Sequence, residues 1–170
     1  TDATVPADRT AAGETWAVTV TPDDGEDEGD EATASVTVEN TRPTVTGVTL
    51  TPTDAFETTT LTCAATGEDA DGDAVSFDYT WALDGADIGA TGANLTGADF
   101  DKGDDVTCTA TPSDGAEDGD PMTSETVTIQ NSLPSLTRAM ISPDPATVTD
   151  TLTCDGFGFR DDDGDSDSST

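Results

Sequence analysis

An internal repeat constrains this chain more than any other feature. Gly13 to Pro22 aligns with Gly103 to Pro112 at an offset of 90, and Asp24-Gly25 then falls on Asp114-Gly115. After a one-residue insertion, Val36 to Pro43 aligns with Val127 to Pro134 at an offset of 91, which also carries Pro52 to Pro143, Leu61 to Leu152 and Cys63 to Cys154. Self-similarity at a fixed period is the mark of a tandem array. It divides the chain into the rear part of one repeat at 1–43, a complete repeat at 44–134 and the front part of the next at 135–170. The joints are Asn40-Thr41-Arg42-Pro43 and Asn131-Ser132-Leu133-Pro134. Proline removes an amide donor and biases the residue before it to extended backbone, so a short, stiff link is expected at each.

Within the repeat the apolar period is two. Val45, Val48 and Leu50 alternate along 44–51 after a slip at Gly47, Leu61, Cys63 and Ala65 along 60–66, and Val75, Phe77, Tyr79, Trp81 and Leu83 along 75–83. Val106, Cys108 and Ala110 follow along 105–112, and Val127 with Ile129 along 123–130. Each run has one apolar face and one face of Thr, Ser or acid, as half-buried antiparallel strands do. Turn signals separate them at Asp84-Gly85, Gly89 to Gly92, Gly103 and Ser113 to Gly119. No helical stretch is expected. The fold class is all-β, with Leu61, Tyr79 and Trp81 as core residues.

Composition narrows the function. Against 37 Asp+Glu the chain has 5 Lys+Arg and no His, a formal net charge of −32. A duplex is held by Lys and Arg that neutralise phosphates, so nucleic acid is excluded as an ordinary partner, and anionic membranes are disfavoured for the same reason. No run of about 18 apolar residues offers a membrane span. Without His, catalysis would rest on carboxylates or hydroxyls. A glycosidase-like pair needs two carboxyls in a cleft with one pKa raised by burial, whereas these acids lie on Gly-rich turns, so the chain reads as non-enzymatic. Only 32% of residues are hydrophobic, so order needs support beyond a thin core.

The spacing of Cys63, Trp81 and Cys108 on three inward-facing runs resembles that of an immunoglobulin-type sandwich. Gly67-Glu68-Asp69-Ala70-Asp71-Gly72-Asp73, followed by the aromatic run ending in Trp81, resembles the D-x-D-G-D pattern of bacterial and archaeal tandem immunoglobulin-like repeats, of the polycystic-kidney-disease type and cadherin-like kinds. The resemblance implies tandem antiparallel β-sandwiches, an extracellular or cell-surface setting, and a stalk, filament or adhesion role. It implies no particular ligand, and a module that binds carbohydrate or a partner cell is the alternative. In such a sandwich Cys63 and Cys108 meet as a disulfide; the other reading is two buried free thiols. Val18 stands at the Cys108 position of the preceding repeat, and Cys154 has no partner within the chain.

Asp69, Asp71 and Asp73 set carboxylates at alternate positions around Gly72, part of the oxygen shell that calcium takes. Asp161, Asp163 and Asp165 do the same around Gly164 in the next repeat. In a sandwich the loop carrying Asp114, Asp118 and Asp120 lies at the same end as Asp69 to Asp73, where the linker also enters. Crowded carboxylates there repel, and a cation would relieve them. A solvated acidic turn is the competing reading. Asn94-Leu95-Thr96 is a glycosylation sequon. The outer part-repeats each offer an apolar strand face, which continuation of a longer chain or head-to-tail self-association would cover.

Overall fold

The computed structural model describes residues 4–168. The protein is all-β, with no α-helix among the described residues and a 3-10 turn at Ala7–Arg9, the one helical feature that strand periodicity does not announce. The strands are β1 (Thr15–Val20), β2 (Ala32–Thr37), β3 (Thr44–Thr51), β4 (Ala55–Phe56), β5 (Thr60–Glu68), β6 (Ser76–Leu83), β7 (Ala86–Thr91), β8 (Asn94–Thr96), β9 (Asp105–Ser113), β10 (Met122–Thr123), β11 (Val127–Gln130), β12 (Arg138–Ser142) and β13 (Thr153–Phe157). The chain forms two compact units. One comprises Thr1–Gly47, Thr66–Asp78 and Thr111–Pro121, the other Val48–Ala65, Tyr79–Ala110 and Met122–Thr170.

In the first unit, β1 and β2 form an antiparallel pair running from Thr15↔Thr37 to Val20↔Ala32. The threonines that mark the polar faces bond across strands, as Thr15 does to Thr37 at 3.2 Å and Thr46 to Thr66 at 3.0 Å. The β-branched side chain suits the pleat, and its hydroxyl stays at the surface.

The second unit holds the core. Leu50, Leu61, Cys63 and Leu95 come from the sheet ordered β3-β5-β8, and Ala55, Trp81, Val106, Cys108, Val127 and Ile129 from the sheet ordered β4-β11-β9-β6-β7. Two sheets contributing to one apolar layer is an arrangement consistent with a β-sandwich. Trp81 is buried, and its indole N–H donates to the Gly92 carbonyl at 2.9 Å, so the ring enters the core without an orphaned donor. Leu61 is fully buried, while Tyr79 packs half-buried at the edge of the cluster. Cys63 and Cys108 are joined as a disulfide across the core, so of the two thiol readings the bonded one holds. A disulfide points to an oxidising, extracellular environment. No helix among the described residues is long and apolar enough to cross a membrane.

Two local expectations change. The Gly89 to Gly92 stretch, read as a turn, is mostly strand: β7 runs to Thr91, with Gly89 at φ +70 beside a register shift between β6 and β7, and the turn itself begins at Gly92. Glycine there marks a bulge. The 123–130 run is likewise broken into β10 and β11, because Ser124 turns inward to bond Cys108 through both its amide and its hydroxyl, at 2.8 and 3.1 Å.

The disulfide closes a loop with a sequence separation of 45. Replacing both Cys63 and Cys108 by Ala is expected to cost roughly 3 to 4 kcal/mol of unfolding free energy on the chain-entropy account. Urea unfolding of the double variant checks it; a loss below about 1 kcal/mol would show that packing alone holds the core.

Candidate functional site at the linkers

The D-x-D-G-D turns fold around a carboxylate that collects backbone amides. Asp69 Oδ1 accepts the N–H of Asp71 at 2.8 Å and of Asp73 at 3.3 Å, while Gly72, at φ +85, donates its N–H to the Asp69 carbonyl. Such an Asx turn needs the short acidic side chain first and a residue tolerant of positive φ at the tip. The second turn repeats it: Asp161 Oδ1 accepts the N–H of Asp163 at 3.0 Å and of Asp165 at 3.3 Å.

Each turn then grips a linker. The Thr41 N–H donates to Asp71 Oδ2 at 2.6 Å and the Thr41 hydroxyl to Asp71 Oδ1 at 3.3 Å. One repeat later, the Ser132 N–H donates to Asp163 Oδ2. The two asparagines also match, since Asn40 Nδ2 bonds the Thr41 carbonyl and Asn131 Nδ2 the Ser132 carbonyl. At the first joint the grip is wider. Asn40 Nδ2 also reaches Asp114 Oδ2 at 2.9 Å, Arg42 lies 3.5 Å from Glu117, and Pro43 is buried. Gly119 permits this, because a Cβ there would run into the Pro43 carbonyl. The exposed Arg42–Glu117 pair adds little by itself.

Asp69, Asp71 and Asp73 form one group, and Asp161, Asp163 and Asp165 another, in which one carboxylate oxygen from each residue lies within 4.8 Å of the others. Asp114, Asp118 and Asp120 join neither group. Asp114 instead folds its own loop, accepting the N–H of Ala116 and Glu117 at 2.7 Å each, and Asp118 bridges Ser113 in the same loop. Buried Oδ2 of Asp69 and Oδ1 of Asp163 have no hydrogen-bond partner. Asn94 lies exposed on β8 and accepts the Thr62 hydroxyl at 2.9 Å.

Electrostatics separates the two groups. At the second, Lys102 Nζ bonds Asp165 and donates to Asn131 Oδ1 at 3.3 Å, and the Asp165 hydrogen bond, opposed by some burial, raises the ammonium above its ordinary 10.5 with help from the Asp165, Asp163 and Asp161 charges. The repeat places Ala12 where the next module has Lys102, so the first group has no such ammonium. Neither the asparagine clamp nor this lysine is apparent in the strand pattern. Their signals were there nonetheless: Asn recurs at an offset of 91, and Lys102 is the only lysine in the chain.

Comparison with family models, with curated proteins and with solved structures returned no match to this chain. Geometry alone therefore carries the functional reading.

Asp114 is held below its ordinary 3.8, first by the Asn40 amide and then by the N–H groups of Glu117 and Ala116. A depressed carboxyl contributes stability above its unfolded value and loses it as pH falls through the folded one. Asn40→Ala is expected to move the Asp114 pKa up towards 3.8, so that less stability is lost as pH falls through the folded value. Asp24, lowered first by the Asp27 N–H and then by that of Glu26, should not move. Carboxyl-carbon NMR titration of both residues checks it; an unshifted Asp114 would mean the Asn40 bond is not formed in solution.

Proposed function

We propose that this chain is part of an extracellular, non-enzymatic structural protein built of tandem immunoglobulin-like β-sandwich modules, serving as a stalk or head-to-tail filament at the cell surface. One observation carries this reading. The same clamp, a linker amide bonded to the middle carboxylate of a D-x-D-G-D turn, is built at both joints of the repeat. A bead-on-string array needs no such device, whereas a load-bearing or spacing array needs linkers that hold their direction. The paired cysteines support an oxidising, extracellular setting.

Calcium is the proposed stiffening ion. Three carboxylates supply roughly half of the six to eight oxygens it takes, with water completing the shell. The buried, unpartnered Asp69 Oδ2 fits that role, since an anionic oxygen without a donor is costly unless a cation meets it. Asp69, Asp71 and Asp73 would hold the ion and Asp71 would tie it to the linker. At Asp161, Asp163 and Asp165, the Lys102 ammonium already supplies positive charge, which makes the first turn the stronger site.

Titration calorimetry is expected to find one calcium per chain with a dissociation constant of about 0.1 to 1 mM, in the range of extracellular modules. Asp71→Asn should abolish it and Lys102→Ala should add a second event. Saturating calcium should raise the unfolding free energy by about 1 to 3 kcal/mol. Absence of binding at 10 mM would reduce the acidic turns to solvated loops that fold on their own amides. The structural reading is tested separately by small-angle scattering, where a flexible chain of beads in place of a stiff array would remove it.

A further inference from the structure

Of the three asparagines in the chain, Asn40, Asn94 and Asn131, one differs from the other two in how its amide is used. Asn40 and Asn131 direct their side-chain N–H groups into the joints, Asn40 to the Thr41 carbonyl and Asp114, Asn131 to the Ser132 carbonyl. Asn94 uses only its oxygen. Its Oδ1 accepts the Thr62 hydroxyl at 2.9 Å, while Nδ2 has no hydrogen-bond partner among the described residues. Asn94 also opens the only N-x-Ser/Thr triplet of the chain, Asn94-Leu95-Thr96. The strand folds that triplet with both polar ends outward, because alternation along β8 buries Leu95 and leaves Asn94 and Thr96 exposed on the opposite face. β8 is the last strand of the sheet ordered β3-β5-β8, paired to β5 through Thr62↔Asn94 and Thr60↔Thr96. It belongs to the complete repeat, so this exposure is the module's own.

The surroundings of Asn94 carry no charge. Within the same compact unit, β3 and β5 add Thr49, Thr51, Thr60, Thr62 and Ala64 to that outward face, all exposed. Elsewhere the surface of a chain with 37 acids is kept apart from its neighbours by repulsion. This face lacks that protection, and the edge strand beside it is a template for pairing with another chain.

We propose that Asn94 is an N-glycosylation site, and that its glycan screens the uncharged face and the β8 edge. This rests on the extracellular reading above, which brings the chain to a lipid-linked oligosaccharide during export. In the transfer a bond forms between Asn94 Nδ2 and the anomeric carbon of the oligosaccharide. The bond from that carbon to the lipid phosphate oxygen breaks, the lipid phosphate leaves with the electron pair, and the amide gives one proton to the transferring enzyme. The folded chain accommodates the product. A substituent on Nδ2 displaces no hydrogen bond and enters solvent, and Oδ1 keeps its bond to Thr62. The same addition at Asn40 or Asn131 would remove a donor that holds a joint. Sugar hydroxyls lying along the threonines meet donors and acceptors there without desolvating a carboxylate, and the glycan supplies bulk and hydration where the surface has no charge.

The test is glycopeptide mapping of the native protein recovered from the cell surface or the medium. The expected result is a peptide that carries an oligosaccharide, with fragment ions placing the sugar on Asn94. An unmodified Asn94 in that material overturns the proposal, and so does sugar found only on threonine hydroxyls. A second measurement uses the chain secreted from insect cells. Wild type should migrate as a larger species that peptide-N-glycosidase returns to the size of Asn94→Gln, and Thr96→Ala should lack the glycan because the transferring enzyme reads that hydroxyl. A wild type secreted without sugar would show that the triplet is not accepted. Sedimentation before and after enzymatic removal of the glycan tests the screening role: the stripped protein should associate at concentrations where the glycosylated one stays monomeric, with an unchanged circular dichroism spectrum. Equal behaviour of the two would overturn that role. A native protein found inside the cell would remove the extracellular reading itself, whereas an unmodified Asn94 on a surface protein removes the glycan and leaves that reading intact.

Discussion

The interaction on which the rest depends is the hydrogen bond from a backbone amide to an aspartate oxygen. With 37 acids and 5 bases the chain cannot pair its charges with side-chain cations, and three ion pairs occur among the described residues. The protein uses its carboxylates as acceptors instead. Asp24, Asp69, Asp114 and Asp161 each gather two N–H groups and fold a turn by doing so. A charged acceptor makes the stronger hydrogen bond, and the bond in turn favours the charged form. Acidity is thus part of how the loops are built as well as of how the chain stays in solution.

The same bond converts turns into joints. Once Asp69 has ordered the first acidic turn, the Asp71 carboxylate is presented outward with both oxygens free to take Thr41. The linker prolines contribute the complement, since a residue lacking an amide asks for no partner of its own. Asn40 and Asn131 satisfy the neighbouring carbonyl and hold the backbone that offers its N–H to the turn. Each joint therefore needs three residue types in fixed places, which explains why the linker is as well preserved between the two copies of the repeat as the strands are.

The strands and the core were legible because period-two patterning is a local signal and each buried position recurs at a fixed offset. Leu61, Cys63, Trp81 and Cys108 could be placed inward from alternation alone. What escaped was set by side chains acting at a distance. The β10–β11 break depends on Ser124 bonding Cys108, and the bulge at Gly89 depends on a register shift that composition marks only as a turn. At the site, the D-x-D-G-D spacing revealed both carboxylate groups. The expected position of the loop in a sandwich also drew in Asp114, Asp118 and Asp120, which lie outside both groups, Asp114 having the amides of its own loop to collect.

Differences between the copies carry as much information as the repeat itself. Lys102 replaces Ala12 and puts a tethered ammonium on Asp165 of the second acidic turn, beside the Arg160 guanidinium that pairs with Asp162. Cys108 replaces Val18, so the central module is covalently closed while the β1–β2 face keeps only its apolar chemistry. Both changes act on the same difficulty. A module with so few hydrophobic residues is held by whatever supplements burial, and in the central module that is a covalent bond. At the second joint it is an ammonium fixed on the chain, and at the first it is hydrogen bonds to Asp71 and Asp114 with the exposed Arg42–Glu117 pair beside them.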